Sequence, residues 1–161
     1  MNAPKIIFLD TEFTNFIDTT LVSMGMVTDT GEQFYVEVPY PDDECSAFVR
    51  EVVVPRLGRM PWTFSTRPNL PHRILQWLEV VREPGQCISI AFDYQADWDL
   101  FVDTIESRLP EWCGQKRATH LSDPARRAEF YRQHRLSEHH ALNDARALRH
   151  ACQINLQDEA S

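Results

Sequence analysis

Near the start of the chain a run of strand-forming residues, Lys5-Ile-Ile-Phe-Leu-Asp-Thr-Glu-Phe13, ends in two acids. Side chains alternate along a strand, so Asp10 and Glu12 point the same way. Two carboxylates at one spot repel each other and lose hydration unless a cation offsets the cost. Oxygen-only donors suit a hard divalent ion, Mg²⁺ or Mn²⁺. Taken alone, an Asp-x-Glu pair at a strand end is more often a solvated strand terminus than a ligand pair. Further acids stand where they can join this one: Asp93 and Asp97 after the apolar run Cys87 to Phe92, and Asp144 in the last helical pattern, five residues after His139.

The elements that must position these residues follow from periodicity. The uninterrupted apolar run before Asp10 argues a central strand covered on both faces. Leu21 to Thr28 and Glu32 to Val38 read as two strands joined by the Asp29-Thr30-Gly31 turn, an antiparallel hairpin. A helical pattern from about Cys45 to Val54 gives way to an irregular, Pro-, Arg- and Gly-punctuated stretch from Pro55 to Pro71, in which Trp62 and Phe64 read as local packing. Pro71 opens a helix that closes near Pro84-Gly85, and Cys87 to Phe92 is a short strand. From Asp97, the residues Trp98, Phe101, Val102, Ile105 and Leu109 mark one face of a helix that stops before Pro110. Thr119 to Leu121 suits a brief strand and Pro124 to His134 a helix bearing or bordering Arg126, Arg127, Arg132 and Arg135. Ser137 suits the cap of a final helix with Leu142, Ala145, Leu148, Cys152 and Leu156 on its apolar face. Asp144 flanks that face, roughly 100° from its centre. The order predicts an α/β fold around one mixed sheet, the hairpin beside a parallel core and helices on its flanks. Sites in such sheets gather outside the carboxyl ends of the strands, where Asp10, Glu12, Asp93 and Asp97 fall.

At 161 residues, 43% hydrophobic and 25% charged, the chain reads as one globular domain spanning 1–161, without a membrane span. Four cysteines without C-x-x-C spacing read as reduced thiols of a cytoplasmic protein. A net charge of −8 argues against wrapping duplex nucleic acid on a broad basic surface. It leaves room for an enzyme that grips the last few nucleotides of a strand.

Three motifs, DTE at 10–12, D-x-x-x-D at 93–97 and H-x-A-x-x-D at 139–144, together resemble those of the DEDDh 3′-to-5′ exonucleases, which have the ribonuclease H-like fold. DTEF followed by FDYQADWDLF is most similar to a small stand-alone exoribonuclease group typified by a mycobacterial enzyme. The resemblance implies two Mg²⁺ or Mn²⁺ ions on Asp10, Glu12, Asp97 and Asp144, with His139 as general base. Imidazole, with a reference pKa of about 6.5, suits that task. It also implies that Phe13 and Phe16 stack on the terminal base, and that Thr11 and Phe13 offer backbone groups to the ribose. Many relatives carry Asn where this chain has Asp93; spacing to the following helix favours Asp97 as the ligand and leaves Asp93 on the substrate side. The implied activity is hydrolysis of single-stranded 3′ ends, RNA rather than DNA, to nucleoside 5′-monophosphates, and the likeness allows a homodimer. A catalytically silent nucleic-acid-binding module and an endonuclease of the same fold are the alternatives.

Overall fold

A computed structural model describes residues 3–159, with side chains described as far as 152. Five strands form one sheet in the order β3-β2-β1-β4-β5: β1 Lys5–Phe13, β2 Leu21–Thr28, β3 Gln33–Glu37, β4 Ile88–Phe92 and β5 Cys113–Arg117. Strand β1 lies at the centre, antiparallel to β2 and parallel to β4. The helices are α1 Leu70–Val81, α2 Gln95–Thr104, α3 Pro124–His134 and α4 Ala141–Glu159.

Alternation along β1 sorts the molecule into two layers of core. Ile7 and Leu9 pack with Met24 and Met26 of β2, Ile74 and Leu78 of α1, and Phe101 of α2. Phe8 faces the other way, onto Val27, Ala91 and the Ala145, Leu148 and Cys152 stripe of α4. Asp10 and Glu12 share the parity of Phe8, so they emerge on the α4 side of the sheet, and Thr11 emerges on the α2 side. Register carries this parity across the sheet: Asp10 pairs with Gly25, and Glu12 with Ser23.

Gly25 explains how α4 comes so close. A Cβ at this position would lie 2.4 Å from the Ala141 carbonyl carbon and 2.4 Å from the Leu142 nitrogen. Only a residue without a side chain lets the start of α4 rest on the strand beside Asp10.

Several local expectations differ from the structure. The fifth strand is Cys113–Arg117, while Thr119 to Leu121 form a turn in which the Leu121 N–H donates to the Ala118 carbonyl. The strand CGQKR is a polar edge strand with only Cys113 buried, so it lacks the apolar alternation that reveals a half-buried strand. Helix α2 ends at Thr104, where Glu106 and Ser107 take left-handed φ values of 56° each; Ile105 and Leu109 pack from the following turn rather than from a helix face. The stretch read as a helix over Cys45 to Val54 holds a π turn at Val49–Val53 and a 3₁₀ turn at Val54–Arg56. Helix α4 begins at Ala141, four residues beyond Ser137; Ala145, Leu148 and Cys152 of its expected face are buried, together with Ala141, Ala147 and Ala151, while Leu142 is only half-buried and Leu156 falls outside the described side chains. Trp62 and Phe64 are 75% and 53% exposed, so local packing does not hold them. No helix among the described residues is long and apolar enough to cross a membrane.

Candidate active site

The carboxyl ends of β1 and β4 and the start of α4 open into one cleft of about 580 Å³, lined by Asp10, Thr11, Glu12, Phe13, Asp97, His139 and Asp144 among others. The sequence separates these residues by more than 130 positions; parallel pairing of β1 with β4 and the contact of α4 on Gly25 bring them together.

Each acid is held differently. Glu12 is 8% exposed and lies with Asp144 and His139 in a group whose donor atoms all fall within 4.8 Å of one another. Asp144, on the first turn of α4, accepts from the Tyr131 hydroxyl at 2.7 Å through Oδ1 and from the His139 backbone N–H at 2.9 Å through Oδ2. That second bond requires His139 to adopt a left-handed φ of 61°, a conformation non-glycine residues rarely take without tertiary support. The His139 ring meets Phe48 edge-on at 4.8 Å, which fixes its outer side. Asp97, on the first turn of α2, comes round from the far face of the sheet. Its Oδ1 accepts from the Thr11 hydroxyl at 2.6 Å and the Thr11 N–H at 3.1 Å, and its Oδ2 accepts from the Tyr94 N–H at 3.3 Å. Asp10 lines the same cleft, near enough to Asp97, Asp144 and Glu12 for their charges to act on it.

Electrostatics follow from this crowding. Burial pushes Glu12 up to about 8, and the charges of Asp144 and Asp97 add to it. Burial likewise raises Asp97 to about 6 against the three hydrogen bonds that favour its ionised form. Asp10 is raised well above the ordinary carboxylate range by burial, then by Asp97, Asp144 and Glu12 in turn. Asp144 is raised by burial although Tyr131 and the His139 N–H lower it. Four carboxyls held where their ionised forms repel are costly for stability alone. Glu12, Asp144 and the His139 imidazole lie close enough together to hold a divalent cation, which would offset part of that repulsion, with Asp10 and Asp97 in the same cleft.

The structure thus brings Asp10, Glu12, Asp97, Asp144 and His139 to one cleft, together with Thr11, Phe13 and Phe16. Phe16 is 82% exposed and touches Phe13 edge-on at 5.1 Å, a pair of rings on the rim. Thr11 contributes its hydroxyl and N–H to Asp97, so those groups face a protein carboxylate. Asp93 is set apart. Its carboxylate pairs with the Arg127 guanidinium, and it does not line the cleft, in contrast to the substrate-side position expected for it.

Tyr131 and Phe48, which carried no role in the sequence, belong to the site, as does Arg127 from the arginine cluster before His139, a cluster whose place in the sequence suits holding a phosphate. Tyr131 and Arg127 line the cleft from α3, and Phe48 from the segment before the π turn. Spacing held a partial signal: Arg127 and Tyr131 are four apart on α3 and so share a face. Phe48 stands in a stretch whose apolar residues gave no hint of the cleft.

Several solved structures share this architecture, nucleases among them. The nuclease domain of 3′hExo, a DEDDh family member bound to rAMP, superposes with a TM-score of 0.61 at 17% identity, covering 97% of this chain and 93% of that one. A 3′-exonuclease recognising the 3′ end of histone mRNA stem-loop gives 0.59 at 14% identity, and this chain covers 64% of its length. Pop2p of S. pombe, in a form with Mg²⁺ and Mn²⁺ bound, gives 0.58 at 10% identity, with 96% and 82% covered. At these identities the likeness establishes the fold: a ribonuclease H-like mixed sheet flanked by helices. No protein-family model matches the chain, and no curated protein does.

Proposed function

We propose that this chain is a divalent-metal-dependent 3′-to-5′ exonuclease domain acting on single-stranded ends, RNA in preference to DNA, and releasing nucleoside 5′-monophosphates. The observation that carries it is the meeting of Asp10, Glu12, Asp97, Asp144 and His139, from three separate parts of the chain, in one cleft of the ribonuclease H-like fold. The neighbouring fold members include a 3′-exonuclease domain bound to rAMP and a form binding Mg²⁺ and Mn²⁺, and this chain's donor set fits the same class of ligand. The preference for RNA rests on the motif likeness to the small exoribonuclease group, as does a homodimer, and a cytoplasmic setting rests on the four cysteines read as reduced thiols.

Asp10, Glu12, Asp97 and Asp144 would hold two Mg²⁺ or Mn²⁺ ions, which when bound supply activation of water and neutralisation of charge on the scissile phosphate. The chain's own residues do the rest. His139 accepts the proton of the attacking water on its imidazole, at a position fixed by the Asp144 bond to its backbone and by the Phe48 edge. Tyr131 and Thr11 hold Asp144 and Asp97 in orientation. Phe13 and Phe16 offer apolar rings to the terminal base, a grip that tolerates any base.

The proximity of the His139 ring atoms to Glu12 and Asp144 favours a second assignment, His139 as a metal ligand. His139→Ala separates the two. It loses rate and keeps metal affinity if the imidazole is the base, and loses both if it is a ligand.

The test is a time course on 5′-labelled single-stranded RNA and matched DNA with Mn²⁺, Mg²⁺ or EDTA, with Asp10→Ala as the control for contaminating nuclease. The proposal expects a one-nucleotide ladder from the 3′ end that requires metal, is faster on RNA and is absent from the mutant. Oligonucleotides as first products indicate an endonuclease, and intact strands from folded protein indicate a silent binding module; either overturns it.

A further inference from the structure

Between Arg50 and Arg73 an acidic protein of net charge −8 carries five arginines, Arg50, Arg56, Arg59, Arg67 and Arg73, against one acid, Glu51. Arg50 is engaged with the carbonyl oxygens of Asp42 and Asp43. The other four meet no carboxylate at ion-pair distance among the described residues. Arg67 and Arg73 donate only to backbone carbonyls, those of Leu21, Pro39 and Phe64, and Arg59 is exposed.

Trp62 and Phe64 stand among these cations with their rings in solvent. The backbone beneath them is tied down. Thr63 and Ser65 alternate inward, 7% and 5% exposed, and the Thr63 hydroxyl donates to the Met60 carbonyl at 2.7 Å. The Ser65 N–H donates to the Glu37 carbonyl at 2.9 Å, and Phe64 bridges to the edge strand β3 at Glu37. Exposed rings on a fixed backbone lose little freedom when something flat stacks on them.

Strand register leads from the cleft to this surface: Glu12 pairs with Ser23, Ser23 with Glu37, and Glu37 bridges to Phe64. Phe48 and Val49 line the cleft, the chain proceeds through the π turn to Arg56, and Arg56 is near enough to Glu12 for its charge to act on that carboxyl. Guanidinium groups that meet no carboxylate among the described residues, beside outward aromatic rings, match a polyanion that also carries flat bases.

We propose that the segment from Arg56 to Arg73 is a second binding surface, which receives the single-stranded nucleic acid leading away from the cleft, with Trp62 and Phe64 stacking on bases and Arg59, Arg67 and Arg73 facing phosphates. It rests on the reading of the cleft as the site that takes the strand's 3′ end.

The experiment compares wild type, Trp62→Ala and Arg59→Ala on strands from a dinucleotide up to about twelve nucleotides, the range of single-strand site sizes. Binding is read by fluorescence anisotropy in EDTA, where nothing is cut, and turnover is read separately in Mn²⁺. Wild-type affinity should rise with length. Trp62→Ala should weaken the long strands by about five-fold or more, the smallest loss expected for one stacked base. Arg59→Ala should lower the slope of log affinity against log salt by about 0.7, the value for one phosphate contact on a single strand. Dinucleotide turnover should stay at the wild-type rate in both variants. Affinity independent of length, or variants that bind long strands as wild type does, overturns the inference while leaving the exonuclease in place. Loss of self-association in Trp62→Ala with unchanged strand affinity overturns it too, by assigning the surface to a second copy of the chain. Wild type that binds long strands through Trp62 yet cuts none supports the surface and removes the exonuclease reading alone.

Discussion

Replacing Gly25 by alanine adds one methyl group where the start of α4 rests on the sheet. That methyl would lie 2.4 Å from the Ala141 carbonyl carbon and the Leu142 nitrogen and 2.5 Å from the Ala141 oxygen. All three are backbone atoms, so no side chain can swing aside. Restoring an ordinary contact of about 3.4 Å requires the first turn of α4 to retreat by roughly 1 Å. Asp144 rides on that turn and His139 stands two residues before it, while Asp10 and Glu12 stay with β1. Overpacking of this kind costs about 1–3 kcal/mol, or roughly 3–10 °C in melting temperature for a chain of this size. A 1 Å misplacement of reacting groups costs about 100-fold in rate. Hydrolysis and Mn²⁺ affinity, measured well below the melting temperature, should therefore fall by far more than the stability loss explains. Gly114→Ala is the control, since a Cβ there meets nothing within 4 Å, and it should leave the rate unchanged. A Gly25→Ala protein with wild-type rate, metal affinity and melting temperature would refute the argument that this glycine sets the distance between the two halves of the site.

The raised acids make metal-free stability fall with pH. Glu12 titrates at about 8 in the folded protein against 4.5 ordinarily, so between those values the folded chain keeps a proton that the unfolded chain has released. Its contribution is present below pH 4.5 and lost as pH rises through 8, at up to about 1.4 kcal/mol per pH unit. In urea titrations without metal, Glu12→Gln should decline less steeply than wild type, the other raised acids remaining, and exceed it in stability at pH 8; a flat wild-type profile counts against this reasoning. Tyr131→Phe removes the hydroxyl held 2.7 Å from Asp144 and should lower Mn²⁺ affinity about ten-fold or more, by calorimetry, with the fold kept; unchanged affinity denies Tyr131 its orienting role. Asp97→Ala should abolish turnover. Asp93→Ala, which breaks the pair with Arg127, should keep measurable activity, and the reverse ranking would show that Asp93 is the ligand.

The sheet was legible wherever its strands were apolar and flanked by turn residues, as in β1, β2 and β4. It was opaque at β5, where CGQKR is an edge strand whose pairing is all backbone. The acids of the cleft could be read because each ends or begins an element, Asp10 and Glu12 on β1, Asp97 on the first turn of α2 and Asp144 on the first turn of α4. Their supports could not be read. The Tyr131 bond to Asp144 spans two helices, and the Arg127 pair with Asp93 joins α3 to the end of β4. Such partners depend on packing angles that no periodicity encodes. Nothing in the apolar pattern of β2 marks Gly25, and only the closeness of α4 shows why a side chain is excluded there. The left-handed φ at His139, from which its N–H donates to Asp144 just before α4 opens at Ala141, is likewise a local conformation that periodicity does not encode.

The central claim is that the crowded carboxyls of Asp10, Glu12, Asp97 and Asp144 are a cation site. Titration of Mn²⁺ into the metal-free protein at pH 7, by calorimetry in buffers of differing ionisation enthalpy, tests it most directly. With Glu12 raised to about 8, the folded protein carries a proton there that an incoming cation must displace, so binding should release protons and its heat should depend on the buffer. The account predicts two binding events with proton release, both weakened in Asp144→Asn. No binding, or binding that releases no proton and is indifferent to Asp144→Asn, would contradict it.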